Sequence, residues 1–77
     1  MKYNNQRYKI FITGVAGFLG SHIADCFLED NHQVVGCDSL IGGDLENVPN
    51  GVEFHNLDCN DLAELVKISK GCDIFYN

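Results

Sequence analysis

Between Lys9 and Lys67 this 77-residue chain contains no lysine and no arginine, while ten of its eleven acidic residues lie in that interval. The formal net charge is −6. Nucleic-acid backbones and anionic membrane surfaces are held by lysines and arginines that neutralise phosphates, so an acidic middle of this kind excludes both as partners. A C-x-x-C pair is also missing. Cys26, Cys37, Cys59 and Cys72 stand 11, 22 and 13 positions apart, which suits neither a zinc knuckle nor a dithiol redox motif. No secretory signal is read at the start, where Met1 to Lys9 is polar and the apolar run behind it is short. The four cysteines therefore read as reduced, mostly buried thiols of a cytoplasmic protein rather than as two disulfides. No stretch approaches the roughly 20 apolar residues of a membrane span, and there is neither an internal repeat nor a low-complexity tract. His22, His32 and His55 are scattered as surface or packing residues are, and no metal site is expected.

What remains is an ordinary folded composition, 45% hydrophobic and 21% charged. The length allows one domain at most, and a chain of this size buries only roughly 60% of its unfolded surface. Met1 to Tyr8 reads as a frayed polar leader. Ile10 to Thr13 is apolar on consecutive positions, as a strand covered on both faces should be. Phe18 to about Asp30 has helical periodicity, with Leu19, Ile23, Cys26 and Phe27 on one stripe and Ser21, Asp25 and Glu29 mostly off it. Asn31-His32 closes a turn, and Gln33 to Asp38 forms a second strand that ends in an acid.

Ser39 to Gly51 has the composition of a loop, with Gly42-Gly43, Pro49 and Asn50-Gly51, and room for one helical turn near Asp44 to Asn47. Val52 to Leu57 restores strand character. Asp61 and Glu64 have the spacing of a capping box; Leu62, Leu65, Val66 and Ser69 follow at helical spacing; Lys67, Lys70 and Gly71 suit a helix end. Asp73 to Tyr76 begins a further strand. Strands alternating with helices over short links predict an α/β layer of parallel strands joined by right-handed crossovers.

The chemistry concentrates at Gly14, Gly17 and Gly20. A helix start offers unpaired amides and the positive end of the helix dipole, which attract a pyrophosphate when no side chain blocks the approach. Gly14 permits the turn off the strand, Gly17 lets the backbone come close to phosphate, and Gly20 lets the helix lie tightly on the first strand. The amides placed for phosphate are those of Phe18 and Leu19. Three bare glycines also do no more than join a strand to a helix. The strand before, the helix after and an acid 24 positions beyond Gly14 are what turn them into a dinucleotide fingerprint. That acid, Asp38, accepts from ribose hydroxyls and repels the extra phosphate of NADP; read alone, it is a strand-end turn former. The next basic residue after it is Lys67, so charge favours NAD over NADP. A Walker-type phosphate loop is excluded because Gly20 is followed by Ser21 and not by lysine. Asp58 and Asp61 form a candidate carboxylate pair, but a strand-end residue and a helix cap explain them better.

Taken together, Thr13-Gly14-Val15-Ala16-Gly17-Phe18-Leu19-Gly20-Ser21-His22 closely resembles the T-G-x-x-G-F-[LI]-G-S-H motif of the extended short-chain dehydrogenase/reductase family, specifically its sugar-nucleotide epimerases and dehydratases. Asp38 to Val48 is similar to that family's D-N-L-x-x-G-x-x-x-N-[VI] loop, with Ser39 where Asn is usual and with Gly42-Gly43 lacking the side chains some members use. Leu57-Asp58-Cys59-Asn60-Asp61 resembles its adenine-holding segment, and Gly71 to Asn77 its fourth strand. The resemblance implies the N-terminal part of a Rossmann fold, with about four strands in the order 3-2-1-4 and helices on both faces. Residues 1–77 would then be a partial NAD-binding domain. It implies cofactor contacts at Gly14, Gly17, Phe18, Leu19, Asp38, Ser39, Gly42, Gly43, Asp58 and Cys59.

Members of the family oxidise a sugar carbon transiently by passing hydride to NAD, with the tyrosine of a Tyr-x-x-x-Lys pair as base. No such pair exists in this sequence: Tyr3 is followed four residues on by Arg7 and Tyr8 by Ile12, and Tyr76 is penultimate. No catalytic residue is therefore expected here. The favoured expectation is an N-terminal piece of a longer enzyme, inactive alone, whose sugar-nucleotide site and homodimer contacts lie elsewhere. One helix per face would leave apolar sheet uncovered and open to self-association. The competing reading is a stand-alone NAD or adenine-nucleotide module that senses cofactor without catalysis.

Overall fold

The computed structural model describes residues 6–77. The expected frayed leader lies outside the described residues for positions 1–5, and at its end the structure corrects the expectation. Arg7 Nε donates to the Asn31 carbonyl at 2.6 Å, the Tyr8 amide donates to His32 Nδ1 at 3.0 Å, and the Gln33 amide donates to the Tyr8 carbonyl at 2.9 Å. Arg7 and Tyr8 are thus stitched to a turn more than twenty residues away, an arrangement that no local propensity announces.

Four strands, β1 (Lys9–Thr13), β2 (Gln33–Asp38), β3 (Val52–Asn56) and β4 (Ile74–Tyr76), pair in parallel in the order β3-β2-β1-β4. This is the expected 3-2-1-4 sheet. Helix α1 (Phe18–Glu29) connects β1 to β2, a 3-10 turn (Leu45–Asn47) interrupts the loop after β2, and α2 (Leu62–Ile68) connects β3 to β4. Among the described residues no helix is long and apolar enough to cross a membrane.

Successive residues of a strand point to opposite faces, so the uninterrupted apolar run of β1 feeds two cores. Ile10 and Ile12 join Val34 of β2 and Ala24 of α1 on one face. Phe11 joins Val35 and Cys37 of β2 on the other, where Leu65 and Ile68 of α2 pack. Helices therefore lie on both faces. A fully buried aliphatic side chain of this kind stabilises the fold by about 1.5–3 kcal/mol relative to its exposed state.

Two details of the helices differ from their periodicity. On α1, Ile23 and Phe27 of the expected stripe pack against the core, but the buried residues are Ser21 and Ala24, whereas Leu19 and Cys26 are exposed. The helix lies so close to the strands that small side chains occupy the contact line and larger ones are displaced to its flanks. On α2 the packing residues are Leu65 and Ile68, while Leu62 and Val66 stay about 70% exposed. The expected capping box forms by half: Asp61 accepts from the Glu64 amide at 3.3 Å, but the Asp61 amide donates to the Asp58 carbonyl at 2.9 Å and the Glu64 carboxylate pairs with Lys67 instead. Gly71, with φ +83°, makes the left-handed turn that leads into β4. The four cysteines are free, but only Cys37 is buried; Cys26 and Cys59 are exposed and Cys72 is half-buried. The expectation of mostly buried thiols fails because Cys26 sits on the wet flank of α1 and Cys59 in a surface turn.

Candidate cofactor site

Parallel strands end on one edge of the sheet, and the segments that follow β1, β2 and β3 meet there. β1 gives way at Gly14, whose φ of +71° falls in the left-handed region that a side chain rarely tolerates. Its amide and that of Val15 both donate to the Cys37 carbonyl, at 2.8 and 3.2 Å, so the end of β2 holds the turn in place. Val15 and Ala16 are fully buried. Gly17 then starts α1 in extended conformation, with its amide donating to the Gly14 carbonyl at 3.0 Å. A Cβ on Gly20 would lie 2.2 Å from the Gly14 carbonyl oxygen. The close approach expected of Gly20 is real, and its partner is the backbone of the glycine turn itself.

The start of α1 has no side-chain cap and no acid in its first turn. The other two helical starts differ. Asp61 caps α2 with Glu64 in its first turn, and Asp44 caps the 3-10 turn with Glu46 beside it. In α1 the amides of Phe18, Leu19 and Gly20 have no i−4 carbonyl within the helix, and the dipole offers partial positive charge to an anion. The side chains of Phe18 and Leu19 are exposed at this helix start. A cavity of about 240 Å³ opens beside it, lined in part by Gly14, Gly17, Leu19, Gly20, Tyr76 and Asn77.

Asp38, at the end of β2, is 8% exposed. One carboxylate oxygen accepts from the Ala16 amide at 2.9 Å and the other from the Leu40 amide at 2.8 Å. Asp38 thus acts as the strand-end turn former that one of its two readings from sequence expected. It organises the strand-end turn and ties that turn to the glycine run, while a carboxylate with about four lone-pair sites still has acceptors left. Ser39 Oγ accepts from the Ile41 amide at 3.4 Å, Gly42 is open to solvent, and Gly43 lies against Ala16, where a Cβ would stand 2.9 Å from the Ala16 carbonyl carbon. On β3's side, the Leu57 amide donates to the Asp38 carbonyl at 3.2 Å. Asp58 and Cys59 follow, both exposed, with Asp58 accepting from the Asn60 amide at 2.9 Å. All ten residues named from the sequence thus fall on the same edge of the sheet.

Sequence reasoning missed the fastening of the loop after β2. The Ala16 carbonyl accepts from the Asp44 amide at 3.0 Å and from Asn47 Nδ2 at 3.1 Å, so Ala16 is held through both its amide and its carbonyl. The Asn at the end of the D-N-L-x-x-G-x-x-x-N pattern was the available signal. The three histidines are elsewhere: His22 lies against the Phe18 ring, His32 contacts Tyr8 and Phe27, and His55 pairs with Glu53. Among the described residues no three His, Cys, Asp or Glu side chains group as metal ligands would.

A 3-2-1-4 parallel sheet with a glycine turn at the end of its first strand and an acid at the end of its second defines a Rossmann-type nucleotide-binding unit. The sequence profile of the NAD dependent epimerase/dehydratase family matches residues 10–77, and the chain belongs to that family. The UDP-glucose 4-epimerase of Mycolicibacterium smegmatis is 41% identical over 59 residues, which cover 77% of this chain and 17% of that protein. The crystal structure of UDP-glucose 4-epimerase from Thermotoga maritima with UDP-glucose superposes with a TM-score of 0.81 at 29% identity, covering 90% of this chain and 23% of that one. The Bordetella bronchiseptica enzyme WbmH in complex with NAD+ gives 0.79 at 33% identity, covering 83% and 22%. The chain spans about one-sixth of the length of the curated relatives it matches.

Proposed function

We propose that this chain forms the adenosine and pyrophosphate side of the NAD site of a sugar-nucleotide epimerase or dehydratase. The observation that carries the reading is the start of α1, uncapped and free of acid, facing a glycine turn, while the other helical starts carry their own carboxylates. The amides of Phe18 and Leu19 receive the pyrophosphate, and Gly14 and Gly17 keep side chains out of its way. Asp38 accepts from the adenosine ribose, with Ser39, Gly42 and Gly43 beneath it, and Asp58 and Cys59 border the adenine. NAD is favoured over NADP by charge. Arg7 and Lys9 stand at the opposite end of β1, and Lys67 and Lys70 belong to α2 and the turn after it, so among the described residues no cation beside Asp38 offsets its repulsion of a ribose phosphate.

When bound, NAD supplies a hydride acceptor; this chain's own residues hold and orient it. The Tyr-x-x-x-Lys base is absent from the sequence, so the chain alone is inactive, and residues 1–77 are a partial domain of a longer enzyme. Sugar-nucleotide binding and dimer contacts belong to that longer protein. A cytoplasmic setting agrees with four free thiols.

Amide NMR titration with NAD and with NADP, alongside sedimentation, tests this. The expected result is weak NAD binding, with shifts concentrated at 14–20, 38–43 and 58–59 and smaller for NADP. Asp38→Asn is expected to weaken NAD binding about tenfold, since it removes the charge that strengthens both acceptor oxygens and leaves a single neutral one. Equal response to both cofactors, or shifts elsewhere, would overturn the assignment. Tight NAD binding by a well-behaved monomer would favour the stand-alone module instead.

A further inference from the structure

Four successive amides ahead of α1 are already spent within the protein. Gly14 and Val15 donate to the Cys37 carbonyl at 2.8 and 3.2 Å, Ala16 to Asp38 at 2.9 Å, and Gly17 to the Gly14 carbonyl at 3.0 Å. Among the described residues, the first amides left for a ligand are those of Phe18 and Leu19. What fixes that start is the peptide joining Ala16 to Gly17, because its N–H closes the glycine turn while its C=O leaves the turn altogether. The Ala16 carbonyl faces the loop after β2, where the Asp44 amide donates to it at 3.0 Å and Asn47 Nδ2 at 3.1 Å. A carbonyl has two lone pairs, and both have a donor.

The loop is shaped to deliver those donors. Asp44 Oδ1 accepts from the Glu46 amide at 3.0 Å and the Asp44 carbonyl from the Asn47 amide at 2.8 Å, which winds the 3-10 turn and brings the Asn47 carboxamide back over Ala16. Gly43 comes so close that a Cβ on it would stand 2.9 Å from the Ala16 carbonyl oxygen, so no side chain intervenes. Ala16 is fully buried, whereas Asn47 is an exposed residue. Among the described residues its carboxamide makes no other hydrogen bond.

We propose that Asn47 is a positioning residue of the cofactor cradle. By donating to the Ala16 carbonyl it holds the Ala16–Gly17 peptide with its oxygen toward the loop, and so leaves the Phe18 and Leu19 amides to an anion. It acts through Ala16. A carbonyl that loses a donor is drawn to positive charge nearby, and the adjacent start of α1 offers it; there the oxygen competes with a pyrophosphate for the same amides. Asp44 gives only its backbone to this contact, so Asn47 is the side chain through which the sequence controls the peptide. That a bound pyrophosphate feels the change rests on the proposed cofactor reading, whereas the hold on the peptide does not.

The test uses the full chain with Asn47→Asp, which keeps the shape but sets an oxygen against the Ala16 carbonyl, and with Asn47→Ala, which only removes the donor. Both changes fall at an exposed position and leave the Asp44 bond in place. In the ligand-free protein, hydrogen exchange at the Gly17 amide is expected to be about tenfold faster in Asn47→Asp, with the amides of β1 and β2 unchanged. Unchanged Gly17 exchange would overturn the hold. In amide NMR titrations, Asn47→Asp is expected to weaken NAD and ADP about tenfold and Asn47→Ala by less, while adenosine, which carries no phosphate, binds as before. An equal loss for adenosine would reduce Asn47 to a support of the loop and overturn the positioning role. A loss in Asn47→Asp with none in Asn47→Ala would trace to the added charge and overturn it as well. Absence of NAD response in the wild-type chain counts against the cofactor reading, and Gly17 exchange then decides the hold on the peptide by itself.

Discussion

The first half of the chain is a closed piece of structure and the second half is not. Every buried residue among those described lies between Ile10 and Asp38, whereas β3, α2 and β4 contribute none. Sheet position accounts for this. β1 and β2 are the central strands of β3-β2-β1-β4, flanked on both sides and covered on both faces, while β3 and β4 are edges. Phe75, an edge-strand aromatic, remains 61% exposed although its ring meets that of Phe11 edge-on at 6.0 Å. Two glycines, one from each half, answer different needs. Gly20 is required by space, because backbone fills the place of its side chain, and Gly71 by φ alone, with nothing within 4 Å. A cradle must be rigid before a ligand arrives, and the glycine turn and Asp38, on which the proposed cofactor reading leans, lie in the half whose packing is complete.

The largest expected contrast is therefore between Gly20→Ala and Gly71→Ala. The first drives a Cβ into the Gly14 carbonyl and is expected to cost about 3 kcal/mol. The second meets open space and pays only for a strained φ, about 1 kcal/mol. Urea midpoints of the two variants measure the difference, and equal losses would break the distinction between a glycine required by space and one required by φ.

Alkaline pH probes the closed half from inside. Burial pushes the Cys37 thiol from the ordinary 9.0 up to about 12, so between those values the unfolded chain binds fewer protons than the folded one. Stability from this group is complete below pH 9 and falls as pH rises toward about 12, with a limiting slope of roughly 1.4 kcal/mol per pH unit. Cys37→Ala is expected to flatten that part of the denaturation profile. An unchanged profile would mean that the thiol is not sheltered in solution.

The smallest effect belongs to the open half. Asp61→Ala removes the cap of α2 and is expected to cost about 1 kcal/mol. Hydrogen exchange should show the loss confined to 62–68, with the amides of β1 and β2 unchanged. Spread of the effect into β1 would show that the halves unfold as one unit.

Local rules carried much of this structure into view. Gly14, Gly17 and Gly20 announced a strand-to-helix turn, Asp61 and Glu64 a helix start, and the β1 run a strand buried on two faces; all three are where those residues placed them. The face of α1 was read correctly at Ile23 and Phe27, which pack on the core, and misread at Leu19 and Cys26, because contact with the strands selected Ser21 and Ala24. Small residues carry little hydrophobic signal, and only the distance between helix and sheet makes them the buried ones. The same holds at Ala16, an unremarked alanine whose carbonyl accepts from Asp44 and Asn47.

Sequence by itself determined the alternation of strands and helices, the glycine turn, the acid at the end of β2 and the absence of a Tyr-x-x-x-Lys base, because each is set by neighbouring residues and by steric or charge rules of short range. Tertiary structure alone decided that both oxygens of Asp38 are engaged and that Arg7 and Tyr8 are tied to the turn after α1. Those contacts join segments more than twenty residues apart or depend on how closely strand ends approach, and no local preference encodes such distances.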